Sequence, residues 1–244
     1  MKENKYDDPV FFAKYARMDR SRFGLKAAGE WRTLEPMLPD FTGRDVLDLG
    51  CGYGWHCAYA AEHGARSVLG LDISEKMLAV AQKEHAAPPI EYCRMAMEDA
   101  DFADGSFDVV LSSLAFHYVA DFGALVRKTA HWLRPGGDFV FSCEHPVFTA
   151  EGSQDWYRDE NGKILHFPVD NYYMEGERQA VFLGERVTKY HRTLTGYVGA
   201  LLSNGFMLTG LAEPQPPQEM IDAIPGMVDE LRRPMMLILA AKKQ

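Results

Sequence analysis

The chain has 244 residues, is 47% hydrophobic and carries a formal net charge of −9 at pH 7. That length suits one large α/β domain, or a domain with an embedded cap, and the apolar share is enough for a substantial core. The acidic balance and the lack of any basic run argue against tRNA, rRNA and DNA as substrates.

In chain order, strand signals alternate with helix signals, the mark of a parallel sheet with helices on both faces. Residues 5–40 precede the first strand. The helical spacing of Phe12, Tyr15 and Ala16, then of Leu25, Ala28, Trp31 and Leu34, predicts a pair of helices. Strand one is expected at 45–49 and its helix at 55–63. Strand two, 67–71, ends at Asp72. Ser74 is then the expected N-cap of a helix that reaches Glu84. Pro88 and Pro89 break the chain before strand three at 90–95. Strand four is expected at 107–112. A helix over 121–133 is expected to stop at Arg134-Pro-Gly-Gly137, with strand five at 138–143. The rhythm then breaks over 144–190, where turn residues mix with Phe148, Trp156, Phe167, Tyr172, Tyr173 and Phe182. A helix at 195–203, a sixth strand at 206–211 and a last strand at 235–241 complete the chain. The expected fold is an α/β, doubly wound, Rossmann-like sheet of seven mostly parallel strands, with helices on both faces and a cap inserted after strand five. Its expected parts are a helical cover (1–40), a core (41–143), a cap or lid (144–192) and a completion of the sheet (193–244).

Residues 46–54 read V-L-D-L-G-C-G-Y-G. This is a buried strand that ends in a turn where backbone lies against a ligand, which glycine permits because it has no Cβ. The dinucleotide fingerprint G-x-G-x-x-G needs a third glycine where Trp55 stands, so the pattern fails for NAD. No phosphate loop of the form G-x-x-x-x-G-K-[ST] is present either. A tight turn with no ligand is the alternative reading.

What does fit is D-x-G-x-G-x-G, from Asp48 to Gly54, which resembles the first motif of class I S-adenosylmethionine (SAM) methyltransferases. The stretch D-G-S-F-D-V-V from Asp104 resembles the lead into strand four in the type-11 branch of that family, and Leu133-Arg-Pro-Gly-Gly137 resembles its turn before strand five. The resemblance covers residues 44–143 well and 195–241 as a general continuation. It implies SAM as cofactor and methyl transfer as the reaction. Asp72 is expected to accept both ribose hydroxyls, with helix capping as its plainer role. Asp48 is expected to take the methionine ammonium, directly or through water. The acid usual at the adenine contact is replaced by Ala96, so that role passes to the backbone of Met97 and to Glu98. Cofactor contacts are thus expected from Tyr15, Asp48, Gly50, Cys51, Gly52, Gly54, Asp72, Ile73, Met77, Met97, Glu98 and Ser113. Arg20, Arg22 and Trp31 join Tyr15 as candidates to close the cofactor side. His117 matches the first histidine of an L-H-H-V-type segment in the family, and His145 leaves strand five at the same sheet edge.

His117 and His145 are therefore the candidate general bases, and they join Trp156, Tyr190 and His191 as candidate substrate contacts. Ordinary packing is the alternative for each. The aromatic content of 144–190 points to an apolar or aromatic small-molecule acceptor, or else to the core of a small cap or a dimer surface. A non-catalytic SAM-binding protein and an aminopropyltransferase using decarboxylated SAM are the other functional readings. Four separated cysteines (Cys51, Cys57, Cys93, Cys143) read as reduced thiols, with no metal site. No apolar run long enough for a membrane span and no leader-like N-terminus are seen, so a cytoplasmic monomer or homodimer is expected.

Overall fold

The computed structural model describes Lys2 and residues 4–244. Met1 and Glu3 of the expected N-terminal cover lie outside the described residues. Before the first strand come three short helices, α1 (Pro9–Tyr15), α2 (Asp19–Phe23) and α3 (Trp31–Leu34), rather than one helix pair, with 3₁₀ turns before α1 (Lys5–Asp7), between α2 and α3 (Gly24–Ala27) and after α3 (Glu35–Met37). Asp8 caps α1, accepting from the N–H groups of Val10 and Phe11, and Pro9 occupies the first turn.

The alternating part follows as β1 (Asp45–Leu49), α4 (Trp55–Glu62), β2 (Ser67–Asp72), α5 (Glu75–Glu84), β3 (Ile90–Arg94), β4 (Phe107–Ser113), α6 (Phe122–Trp132) and β5 (Leu133–Glu144). Ser74 Oγ accepts from Met77 N–H at the start of α5, and Asp121 accepts from Ala124 N–H at the start of α6. One boundary differs from expectation. Arg134-Pro-Gly-Gly137 does not separate helix from strand. Leu133 already pairs with Phe107, and the register shift before the Val109–Asp138 pair absorbs the turn as an irregularity inside β5.

After β5 come α7 (Pro146–Thr149), the short hairpin β6 (Tyr157–Arg158) and β7 (Ile164–His166), and the longer hairpin β8 (Gly176–Phe182) and β9 (Glu185–His191). The longer hairpin turns on Leu183 and Gly184, both at positive φ, the geometry that matches the twist of its strands. Then α8 (Leu194–Ser203), β10 (Phe206–Ala212), α9 (Gln218–Ala223) and β11 (Met236–Lys243) close the chain.

The main sheet has seven strands in the order β3-β2-β1-β4-β5-β11-β10. Only β11 runs against the others, antiparallel to both β5 and β10. Side chains alternate between faces. Leu47, Leu71, Val110, Phe139 and Leu239 pack with α6 and α8 on one face. Val46, Val68, Val109, Val140 and Ile238 pack with α4, Trp31 and Leu34 on the other. The strand order reverses at β1, which pairs with both β2 and β4. In open α/β sheets, ligands bind beyond the carboxyl ends of the strands at that switch point.

Candidate functional site

The turn after β1 occupies this switch point. Gly50, Gly52 and Gly54 all have positive φ (76°, 54° and 79°). The N–H groups of Gly50 and Cys51 both donate to Leu71 O, at 2.8 and 2.9 Å, which binds the turn to the end of β2. At that end Asp72 accepts from Gly52 N–H (2.9 Å) and from Ser74 N–H (2.8 Å). Burial raises the Asp72 carboxyl, and the Ser74 and Gly52 N–H groups offset part of that rise.

A cavity of about 760 Å³ opens above the turn. Its inner end is lined by Gly50, Gly52, Asp72, Ile73, Met77, Met97, Glu98, Ser113 and Tyr15. Nine of the twelve expected cofactor residues thus share one wall. The other three do not line it. Cys51 borders a small adjoining recess. Gly54 serves as the N-cap of α4. Asp48 requires a correction: it shares the α4-facing side of β1 with Val46, and its carboxylate accepts from the Cys57 thiol at 3.3 Å. Burial lifts the Asp48 carboxyl to about 7. A Cβ on Gly52 would meet nothing within 4 Å, so the cradle there is open to a ligand.

Next to the turn, Glu30 and Arg20 enter from the N-terminal segment. Glu30 is 1% exposed, yet it lines the cavity. Arg20 Nη2 donates to Glu30 Oε1 at 2.9 Å. Burial would lower the Arg20 guanidinium, but Glu30 holds it above its ordinary value. Leu114, which follows β4 into the cavity wall, has φ 50°, a left-handed strain that clusters at functional sites.

The cavity floor carries His117 and Glu144. Glu144 N–H donates to His117 Nδ1 at 3.4 Å, so the neutral ring keeps its proton on Nε2, 4.0 Å from Glu144 Oε1. Burial pushes His117 down to about 4. The ring is therefore uncharged at neutral pH, with Nδ1 occupied by Glu144 N–H and Nε2 as its donor. Burial would raise the Glu144 carboxyl, but His117, Lys189 and Gln154 around it hold it below its ordinary value. Lys189 Nζ donates to Glu144 Oε1 at 2.5 Å, and Gln154 Nε2 to Glu144 Oε2 at 2.7 Å.

His145 is a second correction. As the residue after Glu144 it points away from the cavity. Its Nδ1 accepts from Val147 N–H, capping α7, and its Nε2 lies 2.8 Å from Glu213 Oε1. Burial lowers its pKa, with Glu213 working the other way. His191 also stands apart, fully buried between Thr149 Oγ1 (2.7 Å) and Tyr172 O (2.8 Å). Tyr190 sits on β9 opposite Glu177 and does not line the cavity. Of the aromatic cap candidates, Trp156 does line it.

Glu30 and Glu144 were given no role from the sequence. Period-two alternation along β5 gives a signal for Glu144, because Ser142, two residues earlier, pairs with the cavity-lining Ser113. No local pattern marks Glu30. Among the described residues there is no cluster of three or more metal-ligating side chains, and no helix is long and apolar enough to cross a membrane.

Comparison with known proteins matches residues 47–141 to a methyltransferase domain family. The fold superposes with a TM-score of 0.86 on a Listeria monocytogenes crystal structure described as a candidate S-adenosylmethionine-dependent methyltransferase. That chain is 55% identical, over 91% of this chain and 99% of its own length. An S-adenosylmethionine-dependent methyltransferase of Mesorhizobium loti is 43% identical, over 90% of this chain and 100% of its own, with a TM-score of 0.83. An uncharacterised Haemophilus influenzae protein is 30% identical over 98% of this chain and 96% of its own length.

Proposed function

Because this chain belongs to the class I S-adenosylmethionine-dependent methyltransferases and S-adenosylmethionine is its cofactor, we propose that it methylates a small molecule with an apolar body, held in the outer half of the cavity. One observation carries this reading. The same cavity that holds the glycine turn and Asp72 is also lined by Met220, Met227, Met235, Met236, Pro214 and Pro216. Its size falls in the range of roughly 300–1,000 Å³ typical of small-molecule pockets. Flexible Met side chains suit an irregular apolar ligand.

In this reading Asp72 accepts the ribose hydroxyls, and Gly50 and Gly52 let the methionine end lie against backbone. Met97 and Glu98 border the adenine, with Ile73 and Met77 beside it. Ser113 and Leu114 flank the methionine arm. When bound, S-adenosylmethionine supplies a methyl group on a sulfonium with a good leaving thioether. The protein's own work is to align the acceptor and exclude water. His117 Nε2 donates to the acceptor's polar atom and orients it. Residues 1–40 and 144–192 act as cover and lid, the core (41–143) and the final segment (193–244) carrying the sheet between them. The contact between α1 and the longer hairpin supports this: Lys14 Nζ donates to Leu183 O and Glu185 Oε1, both at 3.0 Å.

A panel of apolar carboxylates, phenols and amines, each with a hydrophilic counterpart, tests the reading with methyl-labelled cofactor. Label should pass to an apolar member, and Met220→Lys should raise its KM with cofactor affinity unchanged. Label found only on hydrophilic acceptors overturns it.

A further inference from the structure

We infer that Glu30, together with Arg20, forms the receptor for the amino-acid end of the cofactor, Glu30 taking the α-ammonium and Arg20 the α-carboxylate. The inference rests on the cofactor lying in the cavity above the glycine turn. Three observations lead to it.

First, Asp48 is removed from the task. It lies behind β1 against Cys57, and the cavity wall does not include it. Second, Glu30 Oε1 is engaged by Arg20 (2.9 Å) and by Ser113 Oγ (3.4 Å), while Oε2 is buried with no hydrogen-bond partner among the described residues. A buried carboxylate oxygen without a donor is costly, and such groups in native proteins are almost always satisfied. Third, the position is right. Glu30, Ser113 and Gly50 share the cavity wall, and Arg20 borders both the cavity and the recess beneath the turn.

The charges also match. An α-amino acid end is a zwitterion. A neighbouring guanidinium and carboxylate present the complementary pair, so neither ligand charge is buried alone. An ammonium brings three donors, and Oε2 offers an acceptor already desolvated and held in place. The N-terminal segment is thereby a reader of the ligand's amino group as well as a cover.

Calorimetric titration of the full chain with two ligands tests this: S-adenosylhomocysteine, and its analogue in which hydrogen replaces the α-amino group. Wild type should bind the parent roughly tenfold to a hundredfold more tightly, the range of one charged hydrogen bond. Glu30→Gln should weaken the parent by that factor and leave the analogue within about twofold. The analogue is the internal control for folding, because a damaged variant loses both ligands. Glu30→Gln weakening both ligands equally overturns the inference, as does wild type binding the two ligands equally. Wild type binding neither would instead sink the placement of the cofactor on which it rests.

Discussion

Gly52 N–H donates to Asp72 Oδ2 at 2.9 Å, joining the loop after the first strand to the end of the second. One carboxylate thus has two tasks: it fixes the glycine turn, and it presents its remaining lone pairs to the cavity. Asp72→Ala strands the N–H groups of Gly52 and Ser74. Unfolding in urea should show a loss of about 1–3 kcal/mol without ligand. Calorimetry should show S-adenosylhomocysteine binding weakened by roughly tenfold or more. A variant with normal affinity would remove Asp72 from the ribose site.

Gly50 and Gly52 separate a packing requirement from a binding requirement. An alanine Cβ at Gly50 would lie 2.6 Å from Ala115 Cβ, at φ 76°. Left-handed strain and overpacking together should destabilise Gly50→Ala by about 2–4 kcal/mol. At Gly52 the Cβ meets nothing within 4 Å, so only the φ strain of about 1 kcal/mol applies. That methyl group enters the space the ligand needs. Gly52→Ala should keep nearly normal thermal stability and lose most of its cofactor affinity. The reverse ranking would place the ligand elsewhere.

Asp48 makes stability depend on pH in a direction unusual for a carboxylate. Its folded value is about 7 against an ordinary 3.8. The folded state therefore binds this proton more tightly than the unfolded state. Stability from this group is full below about pH 4 and is lost as pH rises to about 7, on the order of 4 kcal/mol at most. Asp48→Asn keeps an acceptor for Cys57 and removes the charge. Denaturation curves should nearly coincide at pH 4.5 and show the variant more stable at pH 8. A variant equally destabilised at both would contradict the assignment.

His117 carries the opposite sign. With its folded value near 4 and an ordinary value of 6.5, the unfolded chain takes up the proton first. The stability it contributes is full above pH 6.5 and is lost as pH falls toward 4. In NMR titrations the His117 ring signals should stay at neutral-imidazole positions from pH 8 to 5.5. A midpoint near 6.5 would contradict a buried, neutral His117.

The strands and their order of appearance were readable because apolar runs such as Val46–Leu49 and caps such as Ser74 are local signals. The nine expected residues on the cavity wall follow from strand ends converging at one crevice. Asp48 was misplaced because a motif names residues, whereas the pleat decides the face: Asp48 shares its side of β1 with Val46, which packs among α4, Trp31 and Leu34. His145 was preferred to Glu144 for the same reason, one residue reversing direction at the end of β5. Leu183-Gly184 lacks the Asn-Gly or Asp-Gly signature of a tight hairpin turn, so β8 and β9 left no clear trace. Glu30 was invisible, because its partners Arg20 and Ser113 lie 10 and 83 residues away.

Hydrogen exchange with and without S-adenosylhomocysteine tests the site most directly. Ligand-dependent protection is expected over 50–54, 72–77, 95–98 and 113–115, with a further effect over 15–30. Binding that protects other segments and leaves 50–54 and 72–77 unchanged would contradict it.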